Sequence, residues 1–389
     1  MTVMEDELRS LVGVRAFAAG LVVFWHFHLV LLVLAPGLLL SLKVPVTAAI
    51  LAVDFFFMLS GFIMAEKYLG KMTKLSWEET RHFYTLRFAR IWPVHAALVV
   101  AFIVYDQVSL RLIEDGLAPH TVRWTNVVMN MLLLHEVPPG SPINPPAWSI
   151  GVEVGAYLLF PLLALVLVRF RSATSAFVTA AVVLVAGAVI YGPLYHQRDL
   201  FMAVYGSPWM RIVFGFVAGA FLNVGWRALR SGRYGRGWDV TALASVVVIF
   251  TTIVVVAWSG PLVIPVAAYP FLGLLVLACA GATGVVGRLL SSGPVEWAGR
   301  LSYSIYMTHY LVVIALQTTF THVGADDFGL PTRLLLVGLS VVAVAAISVI
   351  SYYVLEEPSR QWIRSWEHRR RQRRSAATTV DTEEGGRDG

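Results

Sequence analysis

The chain has 389 residues, of which 57% are hydrophobic and only 14% charged, and its mean hydropathy is +0.70. A water-soluble domain cannot hide that much apolar surface, so the composition excludes one and points to a polytopic membrane protein. The net charge of +6 is not a nucleic-acid footprint, because the basic residues are distributed by topology, and no nucleic-acid partner is expected.

Ten apolar runs of about bilayer-spanning length follow one another, at 11–34, 47–66, 91–109, 148–168, 173–191, 209–225, 239–258, 262–282, 300–320 and 334–355. The first contains Arg15 and His26 and lacks a clear small-residue cleavage site, so it reads as a span and not as a cleavable signal peptide. With the N-terminus inside, twenty-two lysines and arginines fall in the inner segments. Only five (Lys43, Arg111, Arg123, Arg198 and Arg333) fall in the outer ones. That imbalance places both termini in the cytoplasm. The expected fold class is all-α, a multi-pass protein of about ten transmembrane helices in the cytoplasmic membrane.

The longest outer connection, 106–147, carries a short helix candidate at 122–134 and then a proline-rich turn. Residues 1–358 are expected to form the membrane-embedded domain. Residues 359–389 read as a basic juxtamembrane segment, whose arginines meet anionic headgroups, and a disordered cytoplasmic tail. Pro358 is expected to stop the last span. The single cysteine, Cys279, lies in an apolar run and allows no intrachain disulfide.

The chemistry begins in the first span. Arg15 and His26 are eleven residues apart, three turns plus about 20°, so they share a helical face roughly 16 Å apart along the axis. Ionisable groups inside a bilayer are expensive and mark function by default; the bland alternative is a snorkelling guanidinium and a satisfied histidine. Asp54 enters from the outer side to a similar depth as His26. A carboxylate beside a buried imidazole would fix its tautomer and raise its basicity. Arg87 and Arg90, three apart, present guanidinium forks suited to phosphate oxygens at the same surface as Arg15.

Further along, Glu153 has Ser149 and Tyr157 four residues to either side, with Trp148 preceding. That carboxylate flanked by hydroxyls suits a polar acceptor. Arg211 opens the sixth span near the outer surface. In the ninth, Tyr306 and His309 sit three apart on a polar face that must meet protein or water. No set of histidines and cysteines has metal-ligand spacing: His26 and His28 diverge by about 200° on a helix, and no metal is expected. The basic stretch 232–237 is a flexible loop, since it lacks the strand and Gly-Lys-Ser/Thr ending of a phosphate loop.

Several motifs together resemble the integral-membrane acyltransferase-3 family. They are Arg15 with His26, Asp54-x-Phe56-Phe57-x-Leu59-Ser60-Gly61-Phe62, Arg87-x-x-Arg90-Ile91-x-Pro93, Trp148-Ser149 with Glu153, and Ser302-Tyr303-x-Ile305-Tyr306 with His309. The resemblance covers essentially the whole membrane domain. It implies a ten-helix enzyme that moves an acyl group, often acetyl, from cytoplasmic acyl-CoA to a hydroxyl of a sugar, surface glycan, lipid-linked glycan or macrolide-type metabolite. Acyl-CoA would be a co-substrate, with no permanently bound cofactor. Some members carry an additional extracytoplasmic hydrolase-like domain, which is not expected here. On this reading Arg15, Arg87 and Arg90 hold the CoA phosphates. His26, oriented by Asp54, is the general base or a transient acyl carrier. Glu153, Trp148 and Ser149 position the acceptor, and His309 assists. Charged groups inside many spans equally mark a transport pathway, so a transporter or flippase is the alternative. A non-catalytic scaffold would leave the depth-matched His26 and Asp54 unexplained.

Overall fold

A computed structural model describes residues 3–34, 43–113, 122–138, 140–196, 208–229, 235–259, 268–323 and 328–385. They are helical almost throughout: α1 (Val3–Leu34), α2 (Lys43–Tyr68), α3 (Trp77–Ile113), α4 (Trp124–Met131), α5 (Trp148–Leu167), α6 (Ala173–His196), α7 (Pro208–Leu229), α8 (Arg236–Ser259), α9 (Tyr269–Gly281), α10 (Val285–Leu290), α11 (Gly293–Val323), α12 (Leu330–Ser351) and α13 (Glu357–Gly385). A segment that must satisfy every backbone N–H and C=O without water has little choice but helix. Among the described residues the only extended pairing is an isolated bridge between Gly235 and Ala282.

Seven of these helices are long and apolar enough to cross a membrane, so the protein is a multi-pass membrane protein. The three other expected spans fall on α2, α9 and α11, which are helical but not among those seven. The polar Ser, Tyr, Thr and His face of α11 lowers its hydropathy. Helix α9 is short, thirteen residues that begin after its N-cap Ala268; residues 260–267 of the expected span lie outside the described set. So do Arg198, Arg230 and Arg233 from the charge count, residues 232–234 of the basic loop, and 386–389 of the tail.

Pro358 does not end the last span. Residues Tyr352–Glu356 form a π-helical turn, and α13 continues directly from it. A proline cannot donate to the carbonyl four residues back and its ring crowds that carbonyl, here Val354 inside the wide turn. Helix α13 then runs through the basic segment and into the residues read as a tail. Its buried Glu367 accepts from Arg81 at 2.8 Å, and Arg371 reaches Glu79 at 3.1 Å, tying α13 to the start of α3.

Helix α2 is central, packed on α1 and α7. Its contact with α7 rests on two glycines: a Cβ on Gly61 would stand 1.9 Å from the Phe216 carbonyl oxygen, and one on Gly219 1.9 Å from that of Met58. Only glycine lets the two backbones approach so closely. Helix α1 in turn lies along α11. On the far side Asp239 accepts the backbone N–H groups of Gly284 (2.8 Å), Val286 (2.7 Å) and Gly287 (3.2 Å), capping α10 from a neighbouring helix.

Candidate active site

Helices α1, α2, α3, α5, α11 and the start of α13 enclose a cavity of about 380 Å³, within the range of small-molecule sites. Six cations line it: Arg15, Lys67, Arg87, Arg90, Arg300 and Arg360. Arg300 is bonded to Glu296, and Arg360 to Glu357 at 2.9 Å. Arg15, Lys67 and Arg90 have no hydrogen bond or ion pair among the described residues. Arg87 donates to the Tyr68 hydroxyl at 2.9 Å and lies over the Tyr68 and Tyr157 rings, but has no acidic partner. Six cations against two lining carboxylates, Glu153 and Glu357, leave a net positive charge on rigid helices, the arrangement that recognises phosphate.

At greater depth the lining turns to hydroxyls around one carboxylate. Glu153 Oε1 accepts from the Ser60 hydroxyl at 2.6 Å and from the Tyr157 hydroxyl at 2.6 Å. The i, i+4 spacing on α5 delivers Tyr157, and the close α2 backbone delivers Ser60. Ser149 lies 2.7 Å from the Tyr306 hydroxyl, which donates to the Pro146 carbonyl at 2.9 Å. Cavity-facing groups named from sequence are thus Arg15, Arg87, Arg90, Ser149, Glu153, Tyr157 and Tyr306.

His26 is not in the cavity wall. It lies beyond Tyr306, buried, in a pair with His309: His26 Nδ1 is 3.0 Å from His309 Nε2. The Tyr306 and His309 ring centres are 6.1 Å apart, so the tyrosine borders both the cavity and the histidine pair. His28 is a packing residue, with Nδ1 against the Trp25 carbonyl and its ring 4.6 Å from the Trp25 ring.

The expected pairing of Asp54 with His26 is not what forms. Asp54 instead takes Arg211 in a two-point ion pair, at 2.9 and 3.2 Å, with both side chains fully buried. A buried carboxylate is compensated far better by a full cation than by a neutral imidazole. Arg211 also lies 4.9 Å from the Trp148 ring centre, and Trp148 packs on Phe57. Asp54, Arg211 and Trp148 therefore brace the wall behind Ser149 and stay out of the cavity itself.

Sequence reasoning overlooked Lys67, Arg300 and Arg360 as cavity residues. The available signal was topological: all three entered the charge count of the expected inner segments, where they read as ordinary positive-inside flanks. Tyr303 was noticed as a motif residue without a contact; its hydroxyl donates to the Ile91 carbonyl at 2.7 Å, beside Pro93.

A family model described as an acyltransferase domain matches residues 8–352. Among curated proteins, a putative peptidoglycan O-acetyltransferase of Bacillus subtilis is 23% identical over 92% of this chain and 56% of its own length. The acyltransferase MdmB of Streptomyces mycarofaciens is 28% identical over 79% of each chain. The peptidoglycan O-acetyltransferase OatA of Listeria monocytogenes is 23% identical over 80% of this chain and 51% of its own. The chain thus spans about half the length of the two peptidoglycan relatives. No solved structure matches it. Because the family model extends over nearly the whole helical bundle and contains every cavity-lining helix but α13, the chain belongs to this acyltransferase family.

Proposed function

We propose that the protein is a membrane O-acyltransferase that moves an acyl group, acetyl first of all, from acyl-CoA to a hydroxyl of a carbohydrate, glycolipid or macrolide-type acceptor. The relatives' names support that acceptor class. The observation that carries the reading is the cavity itself, which joins unpaired guanidiniums to a carboxylate ringed by hydroxyls. In this account residues 1–358 form a ten-helix domain with both termini in the cytoplasm, and the basic end of the cavity faces that compartment.

Arg15, Arg87 and Arg90, helped by Lys67, bind the phosphates of the donor, and the pantetheine arm runs inward towards Tyr306. Glu153, Ser149, Tyr157 and Tyr306 orient the reacting groups. Trp148, Arg211 and Asp54 hold that wall in place. His26 takes the proton of the acceptor hydroxyl as it attacks the thioester carbonyl; the C–S bond breaks and the thiolate leaves with a proton. Tyr306 must swing aside, or relay through its hydroxyl, for the two halves of the site to meet.

The test uses the purified protein in proteoliposomes with acetyl-CoA labelled in the acetyl group, and extracts of cells that lack the protein as acceptor source. The expected result is acceptor-dependent release of CoA thiol and appearance of a labelled ester, both lost in His26→Ala although the variant still inserts. Solute exchange without thioester consumption would favour the transporter reading and overturn this one.

A further inference from the structure

The histidine pair has a polarity that the hydrogen bonds alone determine. His309 Nδ1 lies 3.1 Å from the Ile305 carbonyl oxygen, and His26 Nδ1 lies 2.9 Å from the Val22 carbonyl oxygen. A carbonyl only accepts, so each Nδ1 must carry a proton. His309 Nε2 is then a bare lone pair, and it faces His26 Nδ1 at 3.0 Å. The opposite arrangement would set two lone pairs against two carbonyl oxygens, in a buried site where each such clash costs a lost hydrogen bond. His26 is consequently held with its proton on Nδ1 and its lone pair on Nε2, the nitrogen turned away from His309.

We propose that His309 is a positioning residue for His26: it orients the ring, fixes the tautomer jointly with the Val22 carbonyl, and accepts a hydrogen bond from Nδ1–H that stabilises the imidazolium formed when Nε2 takes a proton from the acceptor. The balance is simple. One proton arrives at His26 Nε2, the Nδ1 proton stays between the Val22 carbonyl and His309 Nε2, and the cation rests on His26 until the departing thiolate takes a proton from Nε2. Aspartate does this duty in hydrolase triads without itself being protonated, but here Asp54 is committed to Arg211. The other ionisable groups against His26 are His28 on its own helix and Tyr310, whose ring is 5.2 Å away and edge-on. Neither is placed to accept from Nδ1. Parallel contact between α1 and α11 makes the pairing a property of the bundle, not of a mobile loop.

The inference rests on His26 being the base, and its test is separable from that reading. His309→Ala should lower acyl transfer by about 10- to 100-fold, the scale known for partners that orient metal-bound histidines. His309→Gln keeps an acceptor within reach of Nδ1 and should recover much of that loss. Histidine-selective 15N spectra of the protein in nanodiscs, with His26 assigned by its own substitution, should show a protonated Nδ1 in the wild type. That signal should weaken in His309→Ala and return in His309→Gln. Wild-type turnover in His309→Ala, or a His26 signal indifferent to residue 309, overturns the inference while leaving a His26→Ala defect standing. Activity in His26→Ala would instead sink the underlying reading.

Discussion

The Asp54–Arg211 pair gives the sharpest energetic prediction. Both side chains have no exposed surface, and they share two hydrogen bonds of 2.9 and 3.2 Å. Asp54→Ala removes the carboxylate and breaks a buried ion pair, a change that costs about 3–5 kcal/mol. The Trp148 ring already lies 4.9 Å from the guanidinium carbon in the wild type, so it offsets none of that loss. Replacing both partners, Asp54→Leu with Arg211→Leu, removes both buried charges and should come out more stable than Asp54→Ala alone. The assay is reversible denaturation in mixed micelles followed by tryptophan fluorescence, together with acyl transfer. Transfer should recover with stability in the double variant, because Asp54 braces the wall and does not orient His26. An Asp54→Ala protein as stable as wild type, or a double variant worse than the single, would refute this.

Three further outcomes are expected. Gly61→Ala should cost about 1–3 kcal/mol by forcing α2 from α7, whereas Gly20→Ala, where a Cβ meets nothing within 4 Å, should be harmless in the same denaturation assay. Burial pushes the Glu136 carboxyl, in the loop after α4, up to about 7. Between about pH 4.5 and 7 the unfolded chain therefore ionises this group while the folded protein keeps it protonated, so its contribution lowers stability as pH rises. Glu136→Gln should remove that slope in melts run across this pH range. Glu367→Ala deprives Arg81 of a carboxylate that is 1% exposed, and limited proteolysis should then cut the start of α13 faster than in the wild type.

Much of the architecture was legible because bilayer physics writes it into composition: long apolar runs, and a short helix in the connection after the third of them, seen as α4. Partner choice was not legible. Arg15 and His26 do share a helix, yet one faces the cavity and the other lies beyond Tyr306, because the cavity is shaped by α2, α5 and α11 and not by α1 alone. Depth alone put Asp54 near His26, but depth says nothing about azimuth, and Arg211 from α7 occupied the favourable position. Pro358 read as a stop because the rule for proline assumes an α-helical neighbour. A π-turn accommodates the ring and continues the chain, which brings Arg360 to the cavity. Glu153 with Tyr157 was readable because i, i+4 spacing is local; its third partner, Ser60, depends on the α2–α5 contact and was not.

The central claim is that the basic cavity receives an acyl-CoA donor with its acyl end directed at Tyr306 and the histidine pair. A cryo-EM structure of the protein in nanodiscs with a non-hydrolysable acyl-CoA analogue tests it most directly. The account predicts phosphate groups against Arg15, Arg87 and Arg90, and the acyl carbonyl beside the Ser149–Tyr306 hydroxyls. A donor bound elsewhere on the protein, or an analogue that leaves those arginines untouched at saturating concentration, would contradict it.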